Sequence, residues 1–304
     1  NSMEACYLTY ADGFVWGTNS LSDMDPGETK WGNPATTQKM ISAVKAAGFN
    51  AVRIPCAWYG YMENETDYTI KASWLNRVQE VVGYCYAEDM YVILNIHYDG
   101  GWVEKNSKAA VQVNVNKVQK ALWTQIAERF KDYDEHLLFA GCNEPNAANA
   151  TEMEVLKSYE QTFIDAVRAT GGNNAVRNLI VQGPNTDITN TSDYGQLPVD
   201  NVSNRLMVEI HYYPPWNFCG MTADEGWGKM AYFWGTGYHV DGSDRNYQPA
   251  GYASAEAEME ALFKKMQTKY VSKGIPVILG EFGANSRSSL TGDELPEHLA
   301  SRAI

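Results

Sequence analysis

Two glutamates, Glu144 and Glu281, share one local plan. Each follows a short apolar run, residues 137–140 and 275–279, that ends in a glycine, Gly141 three residues before Glu144 and Gly280 next to Glu281. After Glu144, Pro145 forbids further ladder pairing. An acid at the end of an apolar strand sits where a sheet opens into its loops, half removed from water. Burial there raises a carboxyl pKa toward neutrality, which suits a general acid. A lone strand-end glutamate more often serves a structural ion pair. Two of them, far apart in sequence, are the equipment of glycosidic cleavage: one protonates the leaving oxygen, the other attacks the anomeric carbon or activates water. Glycine before both acids predicts carboxyl groups roughly 5–5.5 Å apart, the retaining spacing, rather than the about 9 Å of inversion.

Other chemistry-bearing residues fall at similar places. Arg53 interrupts the apolar run 51–55, and a guanidinium there is costly unless it meets an anion. His97 closes the run 90–97, and His211 closes 205–211 ahead of Tyr212 and Tyr213. Asn19 follows a first apolar run at 13–17. A Gly-rich loop carries Trp102, and a long aromatic loop carries Trp216, Trp227, Trp234 and Tyr238. Loops of that length in compact domains are usually functional, and flat rings suit an open cleft for a sugar polymer.

The elements that must position these side chains alternate strand and helix. Strands are expected at 13–17, 51–55, 90–97, 137–140, 178–183, 205–211 and 275–279, seven in all. Helices are expected from Thr36 or Thr37 to Gly48, then over 74–87, 113–130, 152–169 and 253–271, with a last one beginning at Asp293. Residues 184–204 show little helical period, so an irregular crossover is expected there. Nothing resembles a linker or a short repeat, so 1–304 reads as one domain. In a parallel barrel the strand ends share one face, where active sites sit. An open doubly wound sheet would carry a Gly-rich phosphate loop after an early strand, and none is present.

A formal net charge of −13 argues against nucleic acid and anionic membrane as partners. No apolar run is long enough to span a bilayer. The five cysteines lack any C-x-x-C pair, and Cys56, Cys85 and Cys142 read as small core residues. Asn1-Ser2 ahead of Met3 reads as an addition, so the lack of a signal peptide says nothing about export. Metal-dependent amidohydrolysis would need clustered His and Asp ligands, whereas the strand-end histidines lie on separate strands without H-x-H.

Asn143-Glu144-Pro145 and Gly280-Glu281-Phe282-Gly283, with Trp31-Gly32-Asn33-Pro34, Val52-Arg53-Ile54-Pro55, Asn95-Ile96-His97 and His211-Tyr212-Tyr213, resemble the motifs of glycoside hydrolase family 5. The resemblance runs from about Gly13 to the end. Phe233-Trp234-Gly235 resembles the branch with bacterial cellulases, lichenases and xyloglucanases. It implies an α/β fold, a (β/α)8 TIM barrel, and an endo-acting retaining β-glucan hydrolase, with Glu144 as acid/base and Glu281 as nucleophile. It places Arg53 and Tyr213 against Glu281, Asn143 on the sugar 2-hydroxyl, and His97 and His211 at the cleavage subsite; Asn19 at its strand end and Trp102 and Trp234 on their loops are expected among the sugar-binding residues. No metal or cofactor is implied, and secretion or a cell-envelope location is.

Two departures stand out. Tyr98 replaces a second histidine frequent in the family, and the family's eighth strand, with its stacking tryptophan, would follow the last helix. The expectation is therefore a barrel domain lacking its eighth strand and helix, a homo-oligomer completed by exchange of elements, and low activity. A weakly active sugar-binding barrel, or a related mannanase or xyloglucanase, is the alternative.

Overall fold

The computed structural model describes residues 2–4, 34–287 and 289–303. Among them seven strands form one sheet in sequence order, each parallel to the next. They are β1 (Ser2–Glu4), β2 (Ala51–Ile54), β3 (Tyr91–Asn95), β4 (Leu137–Ala140), β5 (Leu179–Asp187), β6 (Leu206–Tyr212) and β7 (Val277–Phe282). The helices are α1 (Gln38–Ala46), α2 (Ala72–Tyr86), α3 (Gln112–Arg129), α4 (Ala150–Ala169), α5 (Ile188–Tyr194), α6 (Trp216–Cys219), α7 (Ala255–Lys269) and α8 (Glu294–Arg302). The strand expected at 13–17 lies outside the described residues, as do Asn19 and Cys6. In the first sheet position, β1 pairs Ser2 with Ala51 through Glu4 with Arg53.

Alternate residues of the strands bury against different layers. Val52 and Ile54, Val92 and Leu94, Leu137 and Phe139, Leu179 and Val181, and Val208 and Ile210 join the helix residues in the main core. Their neighbours Ile93, Leu138, Ala140 and Ile180 form a separate cluster with Met207 and Ile278. A two-residue period with both faces buried is the pattern of a parallel barrel, where helices cover the outside and side chains fill the inside. By the same alternation Arg53, Asn95, Gln182, Glu209 and His211 fall on the inner face, near the C-terminal rim. Each large apolar side chain buried in the outer layer contributes roughly 1.5–3 kcal/mol.

Local signals explain the helix starts. The Thr37 hydroxyl accepts the Met40 N–H and caps α1, Asn149 caps α4 through Glu152 N–H, and Ser254 caps α7 through Ala257 N–H. The crossover expected to be irregular contains a short helix instead. Asp187 accepts the Asn190 N–H at 2.8 Å and starts α5, which is seven residues long. Two turns are too few to print a period.

The candidate active site

Glu281 owes its aim to a bulge. Ile210 pairs with Leu279, but the next pair is His211 with Glu281, so Gly280 is an extra residue on β7. A bulge turns the following side chain, here bringing Glu281 beside His211. Only glycine fits: a Cβ at 280 would lie 1.9 Å from Glu209 Oε1.

Glu144 stands four residues beyond the end of β4 on a loop held from several sides. Its N–H donates to Glu104 Oε1 at 3.0 Å, and Asn146 N–H donates to the Glu104 carbonyl at 2.6 Å. From the far end of β5, Asn185 N–H donates to the Pro145 carbonyl and the Thr186 hydroxyl to that of Asn143. Asn185 and Thr186 have φ of 54° and 53°, left-handed backbone that a β-branched residue adopts only under strain.

These elements bring Arg53, His97, Asn143, Glu144, His211, Tyr213 and Glu281 together. Arg53 is 3 % exposed; it donates Nη1 to Glu281 at 3.1 Å and Nη2 to Asn143 Oδ1 at 2.7 Å, and forms an ion pair with Glu209, Nε to Oε1 at 3.0 Å. The Tyr213 hydroxyl donates to Glu281 Oε2 at 3.0 Å. His211 Nδ1 lies 2.7 Å from Glu144 Oε1 and 3.6 Å from Glu281 Oε2. One ligand atom from each of Glu144, His211 and Glu281 falls within 4.8 Å of the others.

The electrostatics follow. Burial pushes the Glu281 carboxyl up, but His211 and Arg53 outweigh it, with the Tyr213 hydrogen bond, and hold it well below the usual range. Burial alone would lower His211; Glu281, Glu144 and Glu209 raise it to about 10, making it a buried imidazolium. Desolvation takes His97 down to about 3, so it is neutral. Glu144, His211 and Glu281 could supply three metal ligand atoms, but a protonated Nδ1 offers an ion no lone pair.

Three expectations need adjusting. Glu144 is less buried than its strand-end position implies, with 42 % of its side chain exposed. The desolvated acid is Glu104 beneath it, which burial and the Glu144 charge raise to about 8 against the hydrogen bonds from Glu144 N–H and Asn143. Trp234 is buried rather than on an open cleft: it packs with Phe218, Ala231 and Ala255 and lines an apolar cavity of about 730 Å³ beside β7. An indole packed on Phe218, Ala231 and Ala255 gains more from that layer than from water. Trp216 and Trp227, 52 % and 65 % exposed, are the open rings of that loop. Trp102, half-buried, donates to the buried Asp99 at 3.0 Å and stacks on Tyr59.

Sequence reading overlooked Glu104, Asp99, Gln182 and Glu209. Glu209 carried the signal that marked Arg53, a charge inside an apolar strand, and it sits two residues from His211 on the same face.

Comparison with known proteins agrees with this geometry. The model of the cellulase family, glycosyl hydrolase family 5, matches residues 13–300. A xyloglucan-specific endo-β-1,4-glucanase of Bacteroides ovatus is 38 % identical over 282 residues, 90 % of this chain and 54 % of that protein. Endoglucanase A of Paenibacillus barcinonensis is 37 % identical over 317 residues, covering 95 % of this chain and 75 % of its own length. This chain thus spans about half of the first relative and three quarters of the second. Among solved structures, a family 5 xyloglucanase of Paenibacillus pabuli, in complex with ligand, superposes with a TM-score of 0.83 at 36 % identity, over 96 % of this chain and 82 % of that one. The seven parallel strands are those of a (β/α)8 barrel, and the chain belongs to glycosyl hydrolase family 5.

Proposed function

We propose that this chain is an endo-acting, retaining β-glucan hydrolase, with Glu281 as nucleophile and Glu144 as acid/base. The observation that carries this is the approach of the two carboxylates, with one oxygen from each inside 4.8 Å. That leaves no room for the water an inverting enzyme places between them and suits the retaining spacing of about 5–5.5 Å.

In the first step Glu281, kept ionised by Arg53, Tyr213 and His211, attacks the anomeric carbon while Glu144 gives its proton to the leaving oxygen. The C–O bond to the leaving sugar breaks and an ester to Glu281 forms. Ester formation removes the Glu281 charge. In the second step water attacks the anomeric carbon and gives a proton to Glu144, whose Oε1 meets the His211 N–H, while the bond from that carbon to Glu281 breaks and restores the carboxylate. Asn143, its Oδ1 fixed by Arg53, is placed to meet the sugar 2-hydroxyl, and His97 to line the same subsite as a neutral ring.

The substrate class is a β-1,4-linked glucan. Relatives named as a xyloglucan-specific endoglucanase and a xyloglucanase support decorated chains as part of that class. A polymer of this kind is met outside the cell, which supports a secreted or cell-envelope location; among the described residues no helix is long and apolar enough to cross a membrane. Association between copies is supported by apolar side chains on β7, Leu279 and Phe282, that are 37 % and 49 % exposed. Light scattering giving a monomer removes that part alone.

The test is release of reducing ends from carboxymethylcellulose, mixed-linkage glucan, xyloglucan and mannan, with the first-formed anomer read by proton NMR. β-anomer from one of the glucans is expected. α-anomer overturns the retaining assignment, and no cleavage of any polymer favours a sugar-binding barrel.

A further inference from the structure

We propose that Glu209 is a positioning residue for this reaction: from the inner layer of the barrel its carboxylate anchors both Arg53 and His211, and so aims them at Glu281 and Glu144. The proposal rests on the reading of those two glutamates given above.

Glu209 is 1 % exposed and lies on β6 two residues before His211, one layer below it on the same inner face. Its Oε1 meets Arg53 Nε at 3.0 Å and His211 Nε2 at 3.4 Å, and its Oε2 accepts from Gln182 Nε2 at 2.5 Å. Gln182 is its register partner on β5. Each cation is thus held at one end by Glu209 and presents its other end to a carboxylate of the site. For Arg53 the outer pair points to Glu281 and Asn143; for His211 the outer nitrogen points to Glu144. The space Glu209 occupies was made for it, because the bulge residue opposite is Gly280 and any Cβ there would overlap Oε1.

Charge balance gives the reason for a third acid. Two cations facing two carboxylates are neutral only while both are ionised, and Glu144 must carry a proton when substrate binds. With Glu209 beneath, the imidazolium keeps an anionic partner through that protonation, so it is not forced to release its own proton. The groups facing His211 are Glu144 from the loop after β4, Glu281 from β7 and Glu209 from β6, with Arg53 from β2 and His97 from the end of β3. Glu209 itself is held anionic, since Arg53 and His211 outweigh its burial.

The test uses Glu209→Gln, which keeps size and removes charge, and Gly280→Ala, which pushes the carboxylate off its partners. Both should lose about 10- to 100-fold in kcat with KM changed by less than about twofold, the pattern of lost aim rather than lost binding. Nitrogen NMR of labelled His211 supplies a readout that a merely structural role would not move. In the wild-type protein His211 should titrate near 10. In E209Q that value should fall by at least about one unit, and the alkaline limb of kcat/KM should move toward neutral with it. Glu209→Asp, retaining the charge, should recover the titration. A wild-type His211 titrating near 6.5, or E209Q with unchanged kcat and unchanged titration, overturns the proposal. Wild-type protein inactive on every glucan, with the E209Q shift intact, overturns the glycosidase reading and supports the Glu209 geometry.

Discussion

Replacing Arg53 by alanine removes one guanidinium that three side chains share. Glu209, Glu281 and Asn143 each lose a partner at 3.0, 3.1 and 2.7 Å. The two carboxylates are then buried with His211 as their remaining adjacent cation. Breaking a buried ion pair from one side costs about 3–5 kcal/mol, most of it the penalty for the charge left behind. For a chain of 304 residues, with an unfolding entropy of about 2.1 cal/mol/K per residue, that corresponds to a fall in Tm of roughly 5–8 °C. The loss must also depend on pH. Glu281 and Glu209 have folded pKa values below their unfolded ones, so their contribution is present above the ordinary carboxylate value near 4.5 and disappears as pH falls through the lowered folded values. Arg53→Ala should therefore be most damaging at neutral pH, with the gap to the wild-type protein narrowing on acidification. Calorimetry of both proteins from about pH 7 down to about pH 2 reads this directly. An equal Tm at neutral pH, or a deficit that stays constant to acid pH, would refute the account of Arg53 as the counter-ion of these two acids.

Three further outcomes are expected. Glu144→Gln should lower kcat on polymer by about 10²–10⁴-fold, and by much less on an aryl cellobioside whose leaving group needs no proton, compared in steady-state assays. Cys56, Cys85 and Cys142 should resist a disulfide reagent until the protein unfolds, because burial raises all three thiols, Cys85 to about 12. His211→Asn should remove the part of the wild-type stability that is present below 6.5 and lost as pH rises through about 10, seen as a flatter alkaline Tm profile.

Much of the fold was legible because a barrel prints both its periods. The runs 92–94 and 137–140 are apolar at every position, which only a strand buried on both faces needs, and the intervening helix shows its stripe in Val115, Val118, Leu122 and Ile126. The site was legible where a charge breaks such a run, as with Arg53 and His211. Glu104 was not, since an acid on a Gly-rich loop looks solvated, and only the Glu144 loop folded over it makes it buried. Trp234 misled for the converse reason: a ring in a long loop looks exposed until that loop docks. Seven residues of α5 are too short for a stripe, so its only local mark was the cap Asp187.

The glycine before each site glutamate has a reason that the sequence plan did not contain. A Cβ at 141 would lie 2.3 Å from Glu160 Oε2 and 2.9 Å from Phe163, on the helix side of β4, whereas one at 280 would strike Glu209 on the inner side of β7. Each glycine therefore makes room for a second, fully buried acid. The two acids differ in state. Glu209 has Arg53 and His211 beside it and stays ionised, while Glu160 has no adjacent cation among the described residues and is raised by burial to about 8 despite the Gln182 N–H and Cys142 thiol on its Oε1. At neutral pH Glu160 is the neutral form. A neutral carboxyl with an unpartnered Oε2 costs far less to bury than an unpaired carboxylate would. Gly141→Ala should then lower stability by about 1–3 kcal/mol through overpacking alone, by the same amount at pH 5 as at pH 7. Gly280→Ala presses on a charge instead, and its cost should shrink as Glu209 is protonated. Urea unfolding of both variants at several pH values separates the cases; parallel pH profiles would mean that the two glycines do the same job.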